Sequence, residues 1–287
     1  MRHDDAISLK TAEGARRGTL AAVGSLLTAA LLLAPGSGLA EDIDQADLAQ
    51  KIQNPLADLI SVPFQNNWDF GIGPENATRY TLNVQPIIPI SLDEKWLLVV
   101  RTIVPVIHAE APARGLDSHS GMGDIVQSFF LAPRSDPGTL GWGLGPVFLW
   151  PTATEDALGA GKWGMGPTAV AVIQEHGWTG GMLANHIWSY AGTGNEDRDD
   201  VSASMLQPFV SYLVKKTYTT FALTSETVYD WEASDWTIPV NLTVSQMLKI
   251  GKLPIQVAAG PRVYVERPSN GPDWGLRCTV NFLLPGI

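Results

Sequence analysis

The sequence predicts an all-β fold: a transmembrane antiparallel β-barrel of about 12 strands behind an N-terminal signal peptide. Three observations support this. About twelve runs of roughly strand-spanning length alternate in polarity or carry β-branched and aromatic residues. The connections between them alternate between long and short, as external loops and periplasmic turns do. Tryptophans gather near strand ends, where an interfacial girdle sits.

Residues 1–40 carry Lys10, Arg16 and Arg17 ahead of an apolar run at 20–34, then Pro35, Gly36, Ser37, Gly38, Leu39 and Ala40. A positive start, a short apolar core and small residues before a cleavage point make a secretory signal peptide. The apolar run falls short of the ~20 residues that a membrane-spanning helix needs. Cleavage near Ala40 removes four basic and three acidic residues, moving the net charge from −10 to −11. Such an acidic chain is a poor partner for nucleic acid, whose phosphates need clustered Lys and Arg. One cysteine, Cys278, forms no internal disulfide and is no metal site by itself.

Residues 41–58 follow. Ile43, Leu48, Ile52 and Leu56 are loosely spaced for one apolar helical face, and Pro55 ends any regular turn. They read as a short periplasmic N-terminal arm with helical potential. The barrel is expected over 59–287.

Its strands are predicted at 59–72, 79–90, 95–107, 121–132, 140–150, 162–174, 178–190, 201–214, 217–229, 236–248, 253–266 and 274–284. The stretches Trp142-Gly143-Leu144-Gly145-Pro146 and Trp163-Gly164-Met165-Gly166-Pro167 repeat one pattern, which suits successive hairpin strands rather than a helix. Alternation is clearest late in the chain. Trp236, Ile238, Val240, Leu242 and Val244 oppose Thr237, Asn241, Thr243 and Ser245, while Leu276, Cys278 and Val280 oppose Arg277, Thr279 and Asn281. Long connections are expected at 108–120, 151–161 and 191–200, with short ones at 91–94, 175–177, 215–216 and 249–252.

Charged residues in the middle of long strands decide which face is wet. They are costly in a dry core and tolerable in a polar lumen. Gln85, Arg101, Asp124, Gln207, Glu226, Asn241, Arg262 and Arg277 are therefore the expected lumen-lining residues. Arg101, Glu226, Arg262 and Arg277 are expected to meet there, either setting what passes or pairing into a plug. Prolines within strands run against the barrel reading, because each deletes a ladder donor: Pro86, Pro105, Pro146, Pro167, Pro208, Pro239 and Pro261.

The stretch Asn54-Pro55-Leu56-Ala57-Asp58-Leu59-Ile60-Ser61-Val62-Pro63-Phe64-Gln65-Asn66-Asn67 is distinctive. So are Gly159-Ala160-Gly161-Lys162-Trp163-Gly164 and Tyr229-Asp230-Trp231-Glu232-Ala233. With these motifs the chain resembles a bacterial outer-membrane family labelled "transporter" or "neuromedin U", and is similar to outer-membrane proteins of the MetA pathway of phenol degradation. The resemblance implies an outer-membrane barrel of a Gram-negative envelope that moves small hydrophobic or aromatic compounds. Lipid, lipopolysaccharide and the barrel-assembly machinery are the partners it implies. It supplies no catalytic residues.

Enzymatic readings fare worse. His108, His119, His176 and His186 form no HExxH or Cys/His cluster, so no metal or other cofactor is expected. His186 with Ser189 and Asn185 is the nearest approach to a nucleophile and base, but adjacent strand residues point to opposite faces. The acidic run 194–200 lacks calcium-loop spacing. The expectation is a passive transporter, with a structural or interaction barrel as the alternative and a lipid-modifying enzyme behind both.

Overall fold

The structure, a computed structural model, describes residues 42–134, 139–193, 198–251 and 253–284. The expected signal peptide at 1–40 and residues 194–197 of the acidic loop lie outside the described residues. The chain opens with a helix, α1 (Asp42–Lys51). The strands are β1 (Ile60–Ile72), β2 (Ala77–Val84), β3 (Ile87–Ser91), β4 (Trp96–Ala109), β5 (His119–Met122), β6 (Ile125–Pro133), β7 (Gly141–Trp150) and β8 (Lys162–Glu175). They continue as β9 (Trp178–Gly192), β10 (Ser202–Val214), β11 (Thr219–Ser225), β12 (Thr227–Asp230), β13 (Asp235–Ile250), β14 (Leu253–Glu266) and β15 (Trp274–Leu284).

Three consecutive pairs, β2/β3, β5/β6 and β11/β12, are halves of single interrupted strands, which leaves 12 staves. Each stave pairs antiparallel with its neighbours in sequence, and β15 returns to pair with β1 from Ile60↔Leu284 to Phe70↔Trp274. The sheet is thereby closed into a transmembrane barrel with no free edge, the condition for crossing a bilayer with strands.

The outward face is apolar. Leu131, Leu144, Met182, Phe221, Leu223, Leu242 and Val263 are all exposed, a display that a water-facing wall would not carry in one continuous band. Aromatic rings border it at both ends. Trp96 meets Trp142 edge-on at 6.2 Å and Trp178 meets Tyr212 at 4.8 Å near the short turns. Trp150–Trp163 at 5.6 Å and Tyr229–Trp236 at 4.7 Å sit near the outer loops.

The in-strand prolines find an explanation in the ladders. Three of them follow an inward glycine: Gly145-Pro146, Gly166-Pro167 and Gly260-Pro261. Each coincides with a break in pairing, between Ser128↔Val147 and Leu131↔Leu144, between Met165↔Trp188 and Thr168↔Asn185, and between Asn241↔Arg262 and Val244↔Ala259. At each break the neighbouring carbonyl crowds the glycine. A Cβ at Gly145 would lie 1.9 Å from the Phe129 oxygen, one at Gly166 1.8 Å from that of His186, and one at Gly260 1.8 Å from that of Leu242. The proline removes a donor where no ladder bond forms, and the glycine lets the strands bend together. Pro86 occupies the β2/β3 interruption, and Pro239 lies at a register shift against β14.

Candidate functional site

Inward-facing residues form three levels. In the outer half, Glu226 beside β12 reaches across β13 and β14 to the guanidinium of Arg277 on β15, which donates to both carboxylate oxygens at 2.7 and 3.0 Å. Arg262 on β14 donates to Glu226 Oε2 at 3.2 Å and lies 3.3 Å from Asp69 Oδ1 on β1. The Tyr264 hydroxyl donates to Asp69 at 2.8 Å, Arg277 Nε donates to Asn67 Oδ1 at 2.8 Å, and Asn241 Nδ2 donates to Glu226 at 3.1 Å. Asn241 is fully buried and Arg277 nearly so. Two cations and two anions thus neutralise one another with most of their hydrogen-bonding capacity met, as buried charges require.

Arg101 stands apart from this network. Its guanidinium on β4 donates to Gln85 Oε1 at 2.9 Å and to Gln207 Oε1 at 3.3 Å. Gln207 belongs to β10, five staves away by the shorter route, so this bond spans the lumen between nearly opposite walls. Among the described residues Arg101 has no carboxylate within ion-pair distance. The expected meeting of four charges therefore comprises Glu226, Arg262 and Arg277, with Asp69 added and Arg101 held separately by amides. The physical reason is partner count: one carboxylate already satisfied by two guanidiniums and an amide leaves no lone pair aimed at a third arginine.

The half of the lumen nearer the short turns is apolar. Leu97, Val99, Phe130, Ala132, Val170, Val172 and Leu183 are buried there around Leu56, and Leu213, Met247 and Leu283 around Ala49. Both central residues come from the arm. It is helical as its composition allowed, yet it does not stay outside the barrel. Gln50 Nε2 donates to Thr179 Oγ1 at 3.0 Å, and Gln174 Nε2 donates to the Gln50 carbonyl at 2.7 Å. Leu56 sits over Gly143, whose missing side chain makes room: a Cβ there would lie 3.2 Å from Leu56 Cδ2. The arm buries its few apolar groups against strands, a surface that its own loose periodicity does not reveal.

Residues 52–57 separate two cavities. One, of about 360 Å³, opens at the end of the barrel that carries the short turns, among Lys51, Leu56, Asp58, Arg134 and Gln174. The other, of about 200 Å³, lies above Ile52, Gln53 and Pro55 and reaches Arg101, Gln207 and Thr224.

Asp124, expected in the lumen, instead ties down an outer loop. Its carboxylate accepts from the amides of Ala153 (3.0 Å) and Ala160 (2.6 Å). At the same rim Lys162 and Ser189 hydrogen-bond Asp200, and these bonds, the lysine's first, hold its carboxyl below the usual carboxylate range. Ser189 is thus engaged with Asp200, whereas His186 Nδ1 lies 2.7 Å from Ser204 Oγ. His186, Ser189 and Asn185 are not brought together. His108 pairs with Ser120 and His119 with Glu155, each at 2.6 Å. No group of three metal-binding side chains occurs among the described residues.

No protein-family model matches this chain, and no curated protein matches it. Solved structures do. The chain is similar to an outer membrane channel from Pseudomonas putida F1, with a TM-score of 0.60, 16% identity, and coverage of 79% of this chain and 94% of that one. Looser likenesses are the β domain of the Bordetella autotransporter BrkA (TM-score 0.44, 10% identity, 79% and 99% covered) and a Pseudomonas aeruginosa FadL homologue (0.35, 10%, 88% and 96%). At such low identity the first of these speaks for the fold alone: a closed outer-membrane-type β-barrel.

Proposed function

We propose that this chain is a passive outer-membrane channel for small hydrophobic or aromatic compounds, with residues 52–57 as its inner closure. The observation that carries the reading is the pair of cavities on either side of that segment. A short displacement of the arm joins a buried, largely apolar chamber to the periplasmic mouth. Apolar lining suits solutes that a water-filled porin handles poorly, and the arm's attachment, which is non-covalent and outside the strand ladders, is one that can be released without breaking the barrel. The similar Pseudomonas putida protein is called an outer membrane channel, which supports the same reading. In this reading the network of Asp69, Glu226, Arg262 and Arg277 holds the outer half rigid and selects by charge.

The test is uptake of toluene and phenol into liposomes carrying the purified protein, with planar-bilayer conductance recorded alongside. Uptake above that of protein-free liposomes, raised by deletion of residues 42–57, is expected. Uptake equal to protein-free liposomes in both forms rejects the channel in favour of a structural barrel.

A further inference from the structure

The inner cavity has a chemistry of its own. At about 200 Å³ it is smaller than the roughly 300–1,000 Å³ of sites for drug-sized ligands. It exceeds the ~150 Å³ cavity that accommodates a benzene ring. Ile87, Val99, Phe130, Leu183 and Phe209 give it an apolar wall, and Arg101 gives it a cation. That guanidinium has five N–H donors in a planar fork, two of which are used by Gln85 and Gln207. Around the lumen centre three guanidiniums (Arg101, Arg262 and Arg277) meet two carboxylates (Asp69 and Glu226), and both carboxylates already hold the other two arginines.

From this cavity we infer that it is a binding site for small monocarboxylates on an apolar body, such as a single aromatic ring or a short alkyl chain. The carboxylate completes the Arg101 fork, and the ring occupies the apolar wall. Inorganic anions satisfy only the first of these demands, and neutral aromatics only the second. Ser211 and Thr224 line the same chamber and place hydroxyl groups beside the head group. The inference names the substrate class of the proposed channel, and rests on that proposal for the site's role in passage but not for binding itself.

The experiment measures fluorine NMR binding of para-fluorobenzoate and para-fluorobenzyl alcohol to the full protein in nanodiscs, with empty nanodiscs subtracted. Wild type holds the benzoate about tenfold or more tighter than the alcohol, the size of one charge-assisted hydrogen-bonded pair. Arg101→Gln erases that preference and leaves alcohol binding unchanged. Equal affinities in wild type, a preference that survives Arg101→Gln, or displacement of benzoate by equimolar chloride overturns the inference. Should Arg101→Gln fail to fold, judged by heat-modifiable migration, Ala222→Phe fills the chamber while leaving Arg101 in place. It is expected to lose both ligands, and retained benzoate binding overturns the site. Benzoate flux into liposomes separates the two readings: binding without flux removes the channel and keeps the site, whereas flux without the binding preference does the reverse.

Discussion

The outer and inner halves of the lumen share one inward-facing set of residues and solve the problem of filling it in opposite ways. The outer half uses ions: Glu226 is held by two arginines, and Arg262 lies between Glu226 and Asp69. The inner half uses a separate piece of chain, whose Ala49 and Leu56 complete two apolar clusters. The difference is one of reversibility. Removing a partner from the ionic level strands a buried charge, which is expensive. Withdrawing the arm exposes the apolar side chains of those clusters but strands no charge, so its cost is that of apolar surface alone. The proposed channel requires the first half to stay and the second to move.

The sharpest break of that contrast comes from the outer half. Glu226→Ala leaves Arg262 with Asp69 alone and Arg277 with only the neutral Asn67 amide, and is expected to cost about 3–5 kcal/mol in urea unfolding from liposomes. Because these residues act as one network, Glu226→Ala with Arg262→Ala should cost clearly less than the sum of the singles. Strict additivity would mean that the ion pairs do not cooperate. The outward wall is next. Val240→Arg or Val280→Arg, each near the middle of its strand, should cost roughly 2–4 kcal/mol, whereas Asn241→Ser on the inward side acts through its bonds to Glu226, Arg262 and the Thr224 carbonyl. Wild-type folding of Val240→Arg would contradict a lipid-facing position for that side chain.

Smaller effects follow. Gly166→Ala pushes a methyl group into the His186 carbonyl, and about 1–3 kcal/mol of strain is expected, since backbone rather than a flexible side chain must yield. Leu56→Ala should leave the unfolding midpoint of the barrel almost unchanged while making the arm much easier to cleave by added protease. A large fall in barrel stability instead would show that the arm is an integral part of the core.

Much of the architecture was legible in the chain. Late strands such as 236–248 and 274–284 alternate cleanly, and the structure places them in Asp235–Ile250 and Trp274–Leu284. Alternation fails where both faces are apolar. On β4, Leu97 and Val99 point inward while Leu98 and Val100 point outward, so no polarity pattern announces the inner apolar level. The arm's burial was hidden for the same reason, because its receiving surface does not exist in any one strand. Asp69 was missed for want of strand pairing, although it occupies an inward position in step with Gln65 and Asn67. Arg101's separation from the network depends on which wall faces which, and only closure of the barrel decides that. The meaning of three prolines was present in the sequence as the glycine before each of them.

The central claim is that the arm closes the inner mouth of a channel and must leave for conduction. Gln50 of the arm and Thr179 of β9 are hydrogen-bonded through their side chains at 3.0 Å, so a Gln50→Cys/Thr179→Cys pair in a Cys278→Ser background, bridged by a bifunctional thiol reagent with a disulfide in its spacer to cover the length of the glutamine side chain, offers a reversible lock. Planar-bilayer conductance of this protein should be near zero when the bridge is intact and rise to the wild-type value when it is reduced. The same conductance in both redox states, with the cross-link verified by mass spectrometry, would contradict the account.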